Sequence, residues 1–219
     1  MGEVFENIQK IESQLKEPCK LVAVSKRQPN SKILEAHSKG FKRFGENYVQ
    51  ELVSKSQELP KDIEWHMIGH LQRNKVKFIA PFVQLIHSVD SIKLLKEINK
   101  EALKNDRVID CLLQVHIAKE ESKSGFDKSG LLEALDADLS HFKNVRIIGL
   151  MGMSTFTDNK GVVKGEFERL KLIFEDVQQT YPNLPIKELS MGMSGDWKIA
   201  MKNGSTLIRV GSSIFGERL

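Results

Sequence analysis

Cysteine is nearly absent from this 219-residue chain, which has two in all. Cys19 sits beside Pro18 and Cys111 lies inside the apolar run VIDCLLQV, so neither a disulfide framework nor a C-x-x-C metal or redox pair can be drawn. Such usage fits a reducing cytosol, and a cytoplasmic location is expected. Long apolar runs are missing too: none approaches the ~20 residues needed to cross a bilayer. The N-terminus is no export signal, because Val4, Ile8, Ile11 and Leu15 fall at helical spacing among charges. Glu6 stands where a myristoylation motif takes Ser or Thr. An excess of one charge is also lacking, since 33 Lys and Arg against 29 Asp and Glu leave +4, with the signs interleaved. The densest basic stretch, Arg73, Lys75 and Lys77, reads as the solvated face of a helix, and no nucleic-acid partner is expected. G-x-G-x-x-G and G-x-x-x-x-G-K-[ST] occur nowhere, which removes the main support for dinucleotide and P-loop sites. His66, His70 and His87 lack any metal-ligand spacing, so no metal is expected.

What is present is a regular alternation. Short β-rich apolar runs occur at 21–25, 42–46, 64–69, 83–89, 108–117, 145–151, 187–191 and 206–211. Stretches of helical period separate them, such as SIKLLKEINKEALKN and EFERLKLIFEDVQQTY. No Asn-Gly or similar dipeptide closes two strands into a hairpin, so the sheet should be parallel. A doubly wound open sheet would carry a glycine-rich turn after its first strand, whereas this chain continues into SKRQPNS. The alternation and its eight repeats predict an α/β fold, a (β/α)8 TIM barrel preceded by one N-terminal helix. No Pro/Gly/Ser-rich linker divides 1–219, so a single domain is expected. The tetrapeptide MGMS occurs at 151–154 and again at 191–194, at the ends of the sixth and seventh strands.

Chemistry in such a barrel gathers at the carboxyl ends of the strands. Lys26 follows the apolar strand LVAVS, where desolvation lowers an ammonium pKa and frees the amine to attack a carbonyl; the bland alternative is a strand-end lysine reaching water. The last two loops, MGMSGDW and VGSSIFG, supply Ser194, Gly211 and Ser212, which suit a phosphate dianion or, equally, ordinary helix capping. Arg209, within LIRVG, could face the barrel mouth and donate to a ring nitrogen or carboxylate, or pair with a strand-end acid such as Glu46. Asn47 either meets a ligand or caps the next helix. The S-x-x-K match at Ser13 to Lys16 lies in the first helix without companion motifs and carries nothing.

Taken together, VAVSK (22–26), FGENYVQE (44–51), WHMIGHLQRNK (65–75), HSVDS (87–91), GLMGM (149–153), LSMGMSGD (189–196) and RVGSSIFG (209–216) closely resemble the pyridoxal phosphate homeostasis protein family, in order and spacing from about residue 20 to 218. The resemblance implies a barrel similar to the alanine racemase N-terminal domain that holds pyridoxal 5'-phosphate (PLP) without established turnover. It implies a Schiff base on Lys26, a phosphate held by Ser194, Gly211 and Ser212, Arg209 facing the pyridine nitrogen, and Asn47 beside the ring. No catalytic residues are implied; a role in buffering PLP and supplying it to apo PLP-dependent enzymes is. Arginine opposite the ring nitrogen favours an unprotonated pyridine and a weaker electron sink. The racemases also draw a base from an added β domain, for which a chain stopping at Leu219 leaves no room, and a monomer is expected. The alternatives are a small PLP-dependent amino-acid racemase, a cofactor-free Schiff-base aldolase and an interaction scaffold. Two departures from the family pattern stand out: Met151-Gly152-Met153-Ser154-Thr155 where GLM-x-x-A/P is frequent, and Ser212-Ser213 where Thr-Ala is usual.

Overall fold

In the computed structural model, residues 2–118, 124–137 and 141–216 are described; Met1 and the final residues to Leu219 lie outside them. Eight parallel strands, β1 (Lys20–Val24), β2 (Arg43–Glu46), β3 (Glu64–Met67), β4 (Leu85–Val89), β5 (Ile109–Gln114), β6 (Val145–Met151), β7 (Glu188–Ser190) and β8 (Leu207–Val210), close into a barrel in sequence order, with β8 returning to β1. The helices between them are α2 (Asn30–His37), α3 (Val49–Glu58), α4 (Val76–Ile79), α5 (Ile92–Leu103), α6 (Lys128–Asp136), α7 (Lys160–Thr180) and α8 (Trp197–Lys202). The expected N-terminal helix is α1 (Glu3–Glu12), which buries Val4, Ile8 and Ile11. A short α9 (Ser212–Phe215) ends the described chain.

The alternation of the strands explains why their sequences read as continuous apolar runs. One set of side chains meets the helices: Leu21, Ala23, Phe44, Trp65, Ile86, Leu113, Leu189 and Ile208 share a core with Ile33, Leu52, Leu95 and Phe167. The other set faces inward, where Val22, Leu85, Leu112, Ile148, Met151 and Leu207 form a separate cluster. A barrel of this kind is a packed core and no pore. β6 occupies the predicted span, whereas β5 is hydrogen-bonded over 109–114 of the predicted 108–117. The run overshoots because residues beyond the strand, such as Ile117, are buried too.

At the amino-terminal mouth, the first inward positions are charged and matched. Arg43 pairs with Glu64 at 3.3 Å, Arg146 with Asp110 at 2.6 Å, and Lys20 lies 3.8 Å from Glu188. Arg43 also donates to the Leu21 carbonyl at 3.1 Å. Arg73 and Lys77 are exposed as expected, and Lys77 lies over the Phe78 ring. Among the described residues no helix is long and apolar enough to cross a membrane.

Candidate functional site

The carboxyl-terminal mouth opens into a cavity of about 730 Å³, and Lys26, Asn47, Ser194, Arg209, Gly211 and Ser212 all line it. The local folding of each strand end explains their convergence. β1 ends at Val24, and the chain turns so that buried Ser25 is followed by half-buried Lys26 on the cavity side. Asn47 leaves β2 in the same direction. It does not cap α3: the residue flanking that helix is Tyr48, with no side-chain cap bond.

Ser194 is likewise no cap. Asp196 precedes α8, and the Ser194 hydroxyl oxygen accepts from the Gly211 amide at 3.2 Å, joining the loops after β7 and β8. That bond uses an oxygen lone pair and leaves the hydroxyl hydrogen available. A Cβ at Gly211 would sit 3.1 Å from the Val24 carbonyl oxygen, so glycine lets the β8 loop lie close against β1. Gly192 has φ +95°, and a Cβ there would meet Ala200 at 2.6 Å. Only glycine lets the β7 loop fold back tightly onto α8.

Arg209 is buried in the upper barrel and does not pair with Glu46. Its Nη1 donates to the Ser190 hydroxyl at 2.5 Å and its Nη2 to the Gly152 carbonyl at 3.1 Å, while its backbone amide donates to the Gly192 carbonyl at 2.9 Å. The two MGMS segments therefore place their glycine carbonyls on one arginine. Burial pulls the guanidinium down to about 10, opposed by the Asp196 carboxylate, so it remains a cation at neutral pH. Asp196 itself accepts from the Ser154 hydroxyl at 2.8 Å and the Met193 amide at 2.5 Å, tying the β6 and β7 loops together. Thr155 is pinned by its amide and hydroxyl to buried Glu166 of α7, both at 2.7 Å, which fixes the departing loop at 151–155 against the helix layer.

Beneath Arg209 runs a polar column. Ser190 meets His87 Nδ1 at 2.9 Å, and His87 Nε2 meets His66 Nδ1 at 3.0 Å. Burial, then nearby Arg43, holds His66 down at about 3; burial, then His66 and Arg209, holds His87 well below the usual 6.5. Each contact needs one donor and one acceptor, which neutral imidazoles supply. Beside the cavity lies a second buried polar group. Glu46 accepts from Ser25 at 2.6 Å and from Lys55 at 2.8 Å; burial raises its carboxyl to about 7 against the pull of Lys55 and Ser25. The sequence alone does not reveal either network, although Lys55 carries a signal: it follows Val49 and Leu52 on the buried stripe of α3. Among the described residues no group of three His, Cys, Asp or Glu side chains could hold a metal.

A closed eight-stranded barrel with a lysine, an arginine and serine hydroxyls around its carboxyl-terminal cavity defines a barrel of the racemase type. The sequence matches the alanine racemase N-terminal domain family over residues 1–219. It is 40% identical to the pyridoxal phosphate homeostasis protein of Aquifex aeolicus, over all of this chain and 96% of that relative. It is 36% identical to the one of Homo sapiens, over 91% of this chain and 76% of that relative. The solved structure of PipY of Synechococcus elongatus with PLP bound superposes with a TM-score of 0.90 at 37% identity, covering 97% of this chain and all of that one. Alanine racemase of Bartonella henselae, at 15% identity and a TM-score of 0.73 over 59% of its own length, shares the fold. The chain belongs to the pyridoxal phosphate homeostasis protein family.

Proposed function

We propose that this protein binds PLP at the carboxyl-terminal mouth of the barrel and acts in PLP homeostasis, buffering the reactive aldehyde and supplying it to apo-enzymes. The observation that carries this is the convergence of Lys26, Arg209 and the Ser194–Gly211–Ser212 loops on one cavity. The donor set fits the cofactor: the serine hydroxyls suit a phosphate dianion, a buried cation suits an unprotonated pyridine nitrogen, and an amine suits an aldehyde. When bound, PLP supplies an electrophilic aldehyde and a ring that can accept electrons. Lys26 provides the nucleophilic amine. Ser194 and Ser212 would donate hydroxyl hydrogens to the phosphate, and Asn47 would flank the ring. Arg209, fixed by Ser190 and Gly152, presents positive charge that opposes protonation of the ring nitrogen and so weakens the electron sink. The names of the relatives support a homeostatic role over turnover.

The purified protein should show visible Schiff-base absorbance that borohydride bleaches, and peptide mapping should place the reduced pyridoxyl label on Lys26. A label mainly elsewhere refutes the assignment. Robust racemisation of amino acids by the PLP-loaded protein would replace homeostasis with the racemase reading.

A further inference from the structure

Lys26 is flanked by two residues whose backbones are held from outside the barrel. On one side, the Ser25 carbonyl accepts from Lys55 Nζ at 2.7 Å, and the Ser25 hydroxyl donates to Glu46 Oε1 at 2.6 Å. On the other, the Arg27 amide donates to Glu51 Oε1 at 2.6 Å. Lys55 closes the circuit with bonds of 2.8 Å to Glu46 Oε1 and 2.6 Å to the same Glu51 oxygen. All three ammonium hydrogens of Lys55 are thus committed, two to carboxylates and one to the residue preceding Lys26.

The segment so gripped is not at conformational rest. Arg27 has φ +56°, the left-handed region that a non-glycine residue seldom occupies, and the bond from its amide to Glu51 holds it there. The network is also costly as a mere tie between α3 and the barrel. Glu46 is fully buried, and its Oε2 is the buried side-chain oxygen without a hydrogen-bond partner among the described residues. An apolar pair of similar volume would join helix to strand without that cost. What an apolar pair could not supply is a fixed acceptor and a fixed donor on either side of one residue.

We propose that Glu46, Glu51 and Lys55 are positioning residues for Lys26, gripping the backbone before and after it so that its amine is presented to the cavity at a fixed place and angle. The inference rests on the reading that Lys26 attaches PLP. In that step Lys26 Nζ, as the free amine, bonds to the aldehyde carbon, and the carbonyl oxygen departs as water with the two amine hydrogens. Reactions of this kind depend steeply on alignment, and misplacement by about 1 Å can cost up to about a hundredfold in rate.

The test is the kinetics of visible absorbance when PLP is mixed with apo-protein, read against PLP concentration in wild type, Glu51→Ala and Glu51→Gln. Glu51 is partly exposed, and far-UV circular dichroism and a melting curve check that both variants fold. The expected result is a split: Glu51→Ala keeps the half-saturating PLP concentration, because the phosphate-binding loops are untouched, but loses about tenfold in the limiting rate of attachment. Glu51→Gln, which retains an acceptor for the Arg27 amide, recovers most of that rate. If Glu51→Ala attaches PLP at the wild-type limiting rate, or if only its half-saturation shifts, the positioning role is overturned while the PLP reading stands. If wild-type protein shows no attachment at Lys26, both fall.

Discussion

The two mouths of this barrel are made by the same eight strands, yet they treat charge in opposite ways. At the amino-terminal end, neighbouring strands begin with residues of opposite sign, and Arg43–Glu64 and Arg146–Asp110 neutralise each other within water's reach. At the carboxyl-terminal end, buried Arg209 lines the cavity and its guanidinium donates to a serine hydroxyl and a glycine carbonyl. A matched pair at a surface is self-sufficient and worth little. A cation whose hydrogen bonds go to neutral oxygens can direct its charge at a ligand. The difference marks one end as closure and the other as the proposed site.

The contrast breaks most readily at the two loops proposed to hold the phosphate. Ser194→Ala combined with Ser212→Ala removes two hydroxyl donors from the cavity, and hydrogen bonds to a charged group contribute ~1.5 to 3 kcal/mol each. PLP retention, measured by equilibrium dialysis, should fall by at least about a hundredfold. The melting temperature should move little, because the hydrogen bond lost with them, from the Gly211 amide to Ser194, lies in the loops outside the core. Unchanged affinity would move the phosphate to another part of the barrel and leave these two loops without the role proposed for them.

The second contrast is in pH. Because His66 and His87 are held below 6.5 by burial, the unfolded chain takes up protons that the folded chain refuses as pH falls below 6.5, for His66 down to about 3. Stability therefore falls as pH falls through that window, with a slope of up to ~1.4 kcal/mol per pH unit for each ring. Glu46 acts in the other direction: its carboxyl is raised from 4.5 to about 7, so the folded state keeps a proton that the unfolded state has lost, and its contribution declines as pH rises through that range. Two imidazoles outweigh one carboxyl, and urea unfolding across this range should show net loss of stability in acid at both low and high salt. Glu46→Gln should remove the opposing limb and steepen the profile between pH 4.5 and 6.5. A flat profile, or one abolished by salt, would mean that these groups are not buried as described.

Much of this organisation is legible in the sequence itself, for a physical reason. Strands buried on both faces advertise themselves as apolar runs, and the barrel rule converts their ends into a short roster of residues, so the positions of Lys26, Asn47, Ser194, Arg209, Gly211 and Ser212 around one mouth could be anticipated. Their partners could not. Glu46 was a candidate for Arg209 on chain order alone, but alternation turns it outward to Lys55, while Arg209 faces inward to Ser190, 19 residues away in sequence. Capping by Ser194 and Asn47 was plausible from local pattern, yet the loop closure that recruits Ser194 to Gly211 spans 17 residues. His66 and His87 lacked ligand spacing, and only the registration of β3 beside β4 makes them a pair.

The smallest expected effect tests the closed end. Arg146 and Asp110 face each other on β6 and β5, with Arg146 Nε and Nη2 donating to the two carboxylate oxygens at 2.6 and 2.9 Å. The geometry is forked, but Arg146 is more than half exposed, so water and salt already screen the pair. Arg146→Ala should cost about 0.2 to 1 kcal/mol in urea unfolding at low salt, and less as salt is added. Asp110→Ala should cost no more, and the double variant should reveal a coupling energy within the same range. None of these changes should alter PLP absorbance or retention, since the inward layer of Leu112, Ile148 and Val22 separates this mouth from the other. A shift in the PLP spectrum on cutting this pair would show that the two ends communicate through the packed interior, and the division between closure and site would have to be withdrawn.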